Sequence, residues 1–184
     1  GHVDNAYFRI ASPGATNAWQ FSKNEGGGAI NELFVHMMDL ANWYFGPIES
    51  IEEIDTQIYL SERESMLDKN DLLAEDFITV RMRNRSGVSI TIEADMISND
   101  FLQYFNVSGP GLFGFCSIQP NLPLIMSQSE KKYNICEYRE FKNLHTSQIS
   151  YFLNCIDKIT IHSQSTISES ISICKFLNEI SGSD

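Results

Sequence analysis

The stretch GGGAINELFVHMMDLANWYFGP, from Gly26 to Pro47, combines three glycines, a long apolar run and a few polar residues. Its length and composition predict a helix of several turns. Gly46 and Pro47 predict the end of that helix, because glycine tolerates a positive φ at the cap and proline cannot continue the hydrogen-bond ladder. Apolar side chains occupy almost every direction around the axis, so we expect the helix to be buried on all sides.

Glu32, His36 and Asp39 recur within this helix at spacings of four and three. At roughly 100° per residue, His36 lies about 40° to one side of Glu32 and Asp39 about 20° to the other, so the three form one narrow stripe. The stripe has two interpretations. It is either a hydrogen-bonded structural network or solvated edge, or a catalytic group in which Glu32 orients the His36 imidazole as a general base.

Beyond the helix, two segments alternate between apolar and polar residues and predict a β-hairpin over Phe77–Ile97, with its turn at Asn84–Gly87. One face of the hairpin is apolar and predicts the core. The other face is polar and predicts an open surface; it carries Thr79, Arg81, Arg83, Ser89, Thr91, Glu93 and Asp95.

The remaining elements complete the predicted order. A strand over Val3–Ala11 and a loop over Ser12–Gly28 precede the helix, and a strand over Ile48–Leu60 and a charged connection over Ser61–Glu75 follow it. Further strands are predicted at Phe101–Ser108, Leu112–Ile118 and Lys132–Arg139, and helices at Ser147–Ile159 and Thr166–Ile180. This order predicts an α+β fold, an open, mostly antiparallel β-sheet with helices packed on one face.

Composition limits the partners. The 184 residues include 24 acidic and 13 basic side chains, for a formal charge of −11, so we expect no nucleic-acid binding. No segment approaches the ~20 apolar residues of a membrane span and no leader pattern is present, so we expect no membrane association and a cytoplasmic location. No cysteine or histidine spacing is typical of a metal site, and we expect no bound metal.

One string, Gly109 to Gly114, satisfies the GxGxxG pattern of dinucleotide-binding loops. Such a loop needs a helix directly after it, because the helix amides hold the pyrophosphate. Here Pro120 and Pro123 follow, so we interpret the string as a turn between strands.

The opening stretch resembles the segment GGG-x-x-x-D-x-G-x-H-x-x-D…W…G at the start of the C-terminal domain of the Gfo/Idh/MocA oxidoreductases, the glucose–fructose oxidoreductase and inositol dehydrogenase group. The matching positions are Gly26, Gly27, Gly28, His36, Asp39, Trp43 and Gly46. Glu32 stands where that family usually has Asp, and Phe34 where it commonly has a small Gly, which could narrow a substrate pocket.

The resemblance implies that residues 1–184 form a single substrate-binding and oligomerisation domain, whose N-terminal Rossmann partner domain is absent from this chain. It implies an oxidoreductase that acts on a hydroxyl of a sugar, cyclitol or nucleotide sugar, with NAD or NADP bound mainly by the missing domain. The fragment alone is then expected to be inactive. The alternative is a non-catalytic sensing or oligomerisation domain that retains the fold.

The resemblance also assigns residues. His36 and Glu32 are the expected catalytic pair, and Asp39 and the three glycines, Gly26, Gly27 and Gly28, are expected to support the structure. Weaker candidates for substrate contacts follow by position: Asn31, Trp19, Asn17 and Arg9. Ordinary core packing is the alternative for Trp19. In this family the open sheet face commonly packs against a second copy, so a homodimer or tetramer through that face is expected, with Arg-to-carboxylate pairs across the two-fold axis.

Overall fold

A computed structural model of the chain describes residues 2–14, 17–117, 124–128, 131–135, 144–157 and 167–182. Its centre is an eight-stranded sheet of order β2-β3-β4-β1-β5-β6-β7-β8. The strands are Asn5–Ala11 (β1), Ile48–Gln57 (β2), Phe77–Asn84 (β3), Ser89–Asp95 (β4), Leu102–Gly109 (β5), Leu112–Ser117 (β6), Leu124–Gln128 (β7) and Lys131–Ile135 (β8). Among these strands β1 and β4 pair in parallel and every other pairing is antiparallel.

Helices cover one face of this sheet and confirm the α+β fold. The described residues form three α-helices, Val35–Phe45 (α1), Leu144–Asp157 (α2) and Ile167–Ser181 (α3). They also form a π-helix at Ile30–Phe34 and 3₁₀-helices at Ala18–Phe21 and Ser61–Met66. None of these helices is long and apolar enough to cross a membrane. α1 and α3 share the core with β1, β3 and β4; its fully buried large side chains include Phe8, Phe34, Met37, Met38, Ile78, Met82, Ile90 and Ile92.

Some predicted boundaries shift. The first strand begins at Asn5, the second ends at Gln57, and a 3₁₀-helix interrupts the charged connection after it. Strand β7 was not predicted, since LIMSQ is short and does not alternate. Of the strand predicted at Lys132–Arg139, the part beyond Ile135 lies outside the described residues, as do the ends of the two C-terminal helical predictions at 158–159 and 166.

The predicted hairpin is confirmed as β3 and β4, which pair from Phe77 with Asp95 to Arg83 with Ser89. Gly87 has φ 88° in its turn, a conformation that glycine adopts without steric cost. The polar face differs at one position: Asp95 was expected to be exposed and is 2% exposed. It is buried because Arg9, from neighbouring β1, pairs with it across that face.

The GxGxxG string forms the turn between β5 and β6, as predicted. Gly109 pairs with Leu112 across the antiparallel ladder, and Gly111 has φ 65° in the turn. A strand, rather than a helix, therefore follows the glycines, and none of the described helices begins at this turn to hold a pyrophosphate.

Candidate functional site

Two of the three glycines, Gly27 and Gly28, bring the start of the helix close to two other segments. Gly27 donates its N–H to Ser22 O and Gly28 donates to Gln20 O, at 2.8 and 2.9 Å. A Cβ on Gly27 would lie 2.5 Å from the backbone of Gln20, and one on Gly28 would lie 2.5 Å from Glu75 Oε1. Gly27 therefore leaves room for the Gln20 backbone, and Gly28 for the Glu75 side chain.

Glu75 caps the start of the helix. Its backbone oxygen accepts the N–H of Ala29, and its Oε1 accepts the N–H of Ile30, both at 2.9 Å. A carboxylate at this end satisfies N–H groups that lack partners within the helix and complements the helix dipole. The first turn, Ile30–Phe34, is a π-helix, and α1 continues from Val35. A continuous α-helix from the glycines was predicted, so this part of the prediction was wrong.

The polar stripe faces outward. His36, Asp39 and Trp43 are exposed and Glu32 is half-buried, while Leu33, Phe34, Met37, Met38 and Ala41 form the buried side. The prediction that the helix is buried on all sides was therefore wrong. The physical reason is that the core covers one side only, where α1 lies on β1 and β4 and against α3.

Glu32 is held by Gln20 rather than by His36. Gln20 Nε2 donates to Glu32 Oε2 at 3.0 Å. No hydrogen bond or ion pair joins Glu32 to His36 in the described part of the chain, although the two lie one turn apart. The arrangement leaves the imidazole of His36 on the surface, with Glu32 anchored beside it.

The other stripe residues are also accessible. Within the described ranges, Asp39 makes no hydrogen bond or ion pair, so its expected role in supporting the helix has no visible contact. Trp43 is 57% exposed and its ring lies 4.9 Å from that of Tyr44, which in turn lies 5.3 Å from Phe105. The accessible side of the helix therefore carries polar groups near its start and the aromatic groups of Trp43 and Tyr44 near its end.

Three of the weaker candidates lie near the start of the helix. Asn31 is exposed, and its Nδ2 donates to Gly27 O at 3.3 Å. Asn17 precedes the 3₁₀-helix that carries Trp19 and Gln20. Trp19 is 45% exposed, so the core-packing alternative for it was wrong. The structure thus brings these residues to the same end of the helix as Glu32.

Arg9 lies elsewhere. Strand alternation places Phe8 and Ile10 in the core and Arg9 on the opposite, open face of the sheet. There Arg9 pairs with Asp95, and its Nε lies 3.1 Å from Glu93 Oε1. The sheet separates it from His36, so the structure does not bring it together with the other candidates.

Electrostatics on the open face follow from this pairing. Burial alone would raise the pKa of the Asp95 carboxyl, but hydrogen bonds from Arg9, Ile97 N–H and Ser98 together hold it below its ordinary 3.8. Burial, and then the nearby Glu93 carboxylate, raises the pKa of the Tyr7 hydroxyl. Asp95 therefore remains ionised and paired under neutral conditions.

Phe34 does not narrow an outward-facing pocket, because its side chain is fully buried in the core. The expectation that it would do so was wrong. Sequence reasoning also missed two residues that organise this region, Gln20 and Glu75. Gln20 follows a Trp in a loop and Glu75 ends a charged connection, and neither position carries a pattern that predicts a contact with the helix.

Comparison with known proteins supports the resemblance. A family model described as the GFO/IDH/MocA C-terminal domain matches residues 1–110. A search of curated proteins by sequence finds no match.

Solved structures share the fold. A levoglucosan dehydrogenase, in complex with NADH and levoglucosan, has a TM-score of 0.80 at 13% identity, over 99% of this chain and 57% of its own. A UDP-N-acetylglucosamine 3-dehydrogenase from Acidithiobacillus ferrooxidans has a TM-score of 0.76 at 11% identity, over 99% and 53%. A 3-ketoreductase from Actinomadura kijaniata, in complex with TDP-benzene and NADP, has a TM-score of 0.72 at 12% identity, over 98% and 52%. This chain spans about half the length of these proteins.

Proposed function

Since the chain belongs to the GFO/IDH/MocA C-terminal domain family, we propose that it is the substrate-binding half of an NAD- or NADP-dependent oxidoreductase acting on a hydroxyl of a sugar, cyclitol or nucleotide sugar. The observation that carries the proposal is the outward stripe of Glu32, His36 and Asp39 on a helix whose other side is core. A second domain would close over this stripe. Two of the solved proteins, each about twice as long, are named for a sugar or a nucleotide sugar, levoglucosan and UDP-N-acetylglucosamine.

The dinucleotide would be held by that second domain. The GxGxxG string of this chain does not fit it, because it is a turn between antiparallel strands. When bound, NAD or NADP supplies the acceptor for a hydride. The described residues of this chain contribute the proton chemistry and the contacts to substrate.

His36 is the proposed acid/base residue. An exposed imidazole with no protein partner in the described residues is available to accept the proton of a substrate hydroxyl as the carbon is oxidised, and to return it in the reverse reaction. The neighbouring Glu32 carboxylate would stabilise the imidazolium that forms. Asn31, Trp19 and Asn17, at the same end of the helix, are the proposed substrate contacts.

The test is a His36→Ala substitution in the full-length protein, assayed with NAD and NADP against a panel of sugars, cyclitols and nucleotide sugars. General acid–base catalysis contributes about 10²–10⁴-fold, so kcat should fall by that factor, a loss of about 3–5 kcal/mol of transition-state stabilisation. His2→Ala is the matched control, since His2 is exposed and pairs with Asp4 at 3.4 Å, at the start of the chain. Unchanged turnover in His36→Ala would contradict the assignment.

The alternative function, a non-catalytic sensing or oligomerisation domain, has less support from the structure than it had from the sequence. One of its two features, Phe34, is a core residue and so has no bearing on a pocket. The other feature, Glu32 in place of the usual Asp, remains. Absence of turnover with every substrate and both dinucleotides, in a well-folded full-length protein, would favour this alternative.

We also propose a homodimer or tetramer through the open sheet face, but with different contacts from those expected. Arg81 and Arg83 already pair within the chain, at 2.8 Å to Glu53 and 2.7 Å to Glu52. The apolar part of the face lies on β5 and β6 instead. There Phe113 is 44% exposed and Leu102 39%, beside the tilted pair of Tyr104 and Phe115 at 5.5 Å.

Light scattering at micromolar concentration tests this contact. Phe113→Glu should shift the full-length protein to monomer, because a charge in a desolvated apolar contact has no partner. Ser61→Glu, an equal charge change at an exposed position in the 3₁₀-helix Ser61–Met66 and outside β5 and β6, is the control and should leave the mass unchanged. Oligomers that persist in Phe113→Glu would show that this part of the face is solvent-exposed.

A further inference from the structure

Gln20 is the one side chain in the described residues that hydrogen-bonds to the Glu32 carboxylate. Its Nε2 donates to Oε2 at 3.0 Å, and both side chains are half-buried. A carboxylate only accepts hydrogen bonds, so the amide must turn its NH₂ group toward it. The contact spans twelve residues of sequence and joins the loop before the glycines to the π-helix after them.

The backbone of Gln20 is fixed on both sides of this contact. Its N–H donates to Asn17 O at 3.2 Å, and its carbonyl accepts the N–H of Gly28 at 2.9 Å. Gly27 leaves room for this approach, because a Cβ there would lie 2.5 Å from the Gln20 carbonyl carbon and oxygen. With its main chain held by the loop and by the glycines, the Gln20 side chain meets Glu32 from a defined direction.

We propose that Gln20 is the positioning residue for Glu32 in the reaction proposed above, on which this inference rests. Its amide occupies Oε2 and sets the rotamer of the carboxylate. Oε1, which has no hydrogen-bond partner in the described residues, is then left for His36 and substrate. Because the amide is neutral, it orients the carboxylate and leaves its negative charge in place. A Lys or Arg partner would neutralise that charge.

The experiment is a double-mutant cycle on kcat and KM in the full-length protein. Gln20→Met keeps the length of the side chain and removes the donor; Gln20→Glu keeps its shape and places an acceptor against an acceptor. We expect Gln20→Met to lower kcat about tenfold or more, with KM changed less, and Gln20→Glu to lower it further. Combined with Glu32→Ala, Gln20→Met should have no additional effect, because its partner is already gone.

Asn24→Ala is the matched control. Asn24 is an exposed amide in the same loop, which donates to Asn70 O at 3.3 Å, and its loss should leave kcat unchanged. Unfolding midpoints are measured for all variants. A variant that keeps its midpoint but loses kcat has lost the orientation of Glu32 and not the fold. If Gln20→Met misfolds, the double-mutant cycle is measured with Gln20→Glu and Glu32→Ala.

The results distinguish failure of the positioning role of Gln20 from failure of the proposed oxidoreductase function. If His36→Ala and Glu32→Ala lower kcat while both Gln20 variants do not, the positioning role is overturned and the proposed function stands. The role is also overturned if Glu32→Ala has no effect, or if Gln20→Met costs the same factor with and without Glu32. If neither His36→Ala nor Glu32→Ala changes kcat, the proposed function itself fails.

Discussion

Replacing each of the three glycines before the helix with alanine should give a graded loss of stability. Gly26 has φ 80° and nothing within 4 Å of a built Cβ, so Gly26→Ala carries conformational strain only, about 1–2 kcal/mol. Gly27 has an unstrained φ but a Cβ would meet Gln20 backbone at 2.5 Å, a forced shift of about 1–3 kcal/mol. Gly28 combines both terms, at φ 100° and 2.5 Å from Glu75 Oε1.

Gly28→Ala should also displace the Glu75 carboxylate from Ile30 N–H, and loss of a helix cap costs about 0.5–2 kcal/mol. Together these terms predict a loss of about 3 kcal/mol or more, against about 1–2 kcal/mol for Gly26→Ala. The free energy of unfolding is measured from urea titrations followed by far-ultraviolet circular dichroism. With a slope of about 1–3 kcal/mol per molar urea, the midpoint for Gly28→Ala should fall by about 1 M or more. A Gly28→Ala variant no less stable than Gly26→Ala would refute the close approach described for Glu75.

Other variants test other contacts. Asn84→Ala removes a buried amide that donates to Phe45 O and accepts Val88 N–H, so the free energy of unfolding should fall by about 2–3 kcal/mol, measured in urea. Asp76→Ala removes a buried carboxylate that accepts two backbone N–H groups at 2.8 Å, and should lower it by at least about 2 kcal/mol. The pKa of Asp95 is lowered on folding, so its stabilisation is complete above its ordinary 3.8 and is lost as the pH falls through the folded value. Urea midpoints of Asp95→Asn should lack this part of the acid dependence.

The parts of the fold that the sequence predicted are those with local, repeated patterns. The hairpin of β3 and β4 follows from strict alternation, and its turn from Gly87, because period and turn chemistry are both readable within one segment. The position of β1 between β4 and β5 is not readable in this way, since pairing between distant strands depends on the whole sheet. Strand β7 has no alternation to detect.

In the candidate site, too, local patterns were predicted from the sequence and contacts between distant segments were not. The spacing of Glu32, His36 and Asp39 placed them on one stripe, because helical periodicity is local. The outward direction of that stripe was only one of the alternatives left open, and the helix was wrongly predicted to be buried on all sides, since an apolar composition does not show where the core ends. The contact from Gln20 depends on the path of a loop, which no sequence pattern predicts. The π-helical first turn occurs where Glu75 caps the helix, and no sequence pattern predicts that geometry either.

The central place of β1 has a consequence for the order of folding. Asn5 pairs with Ser89 on one side and Ser108 on the other, so this residue has both of its partners only after about 100 further residues have been made. At roughly 5–20 residues per second, the apolar side of β1, with Phe8 and Ile10, waits several seconds during synthesis without a partner. Contacts so distant in sequence also slow the folding of the finished chain. Because β1 lies between β4 and β5 in the described sheet, the β2-β3-β4 half and the β5-to-β8 half form one continuous sheet only after both have paired with it.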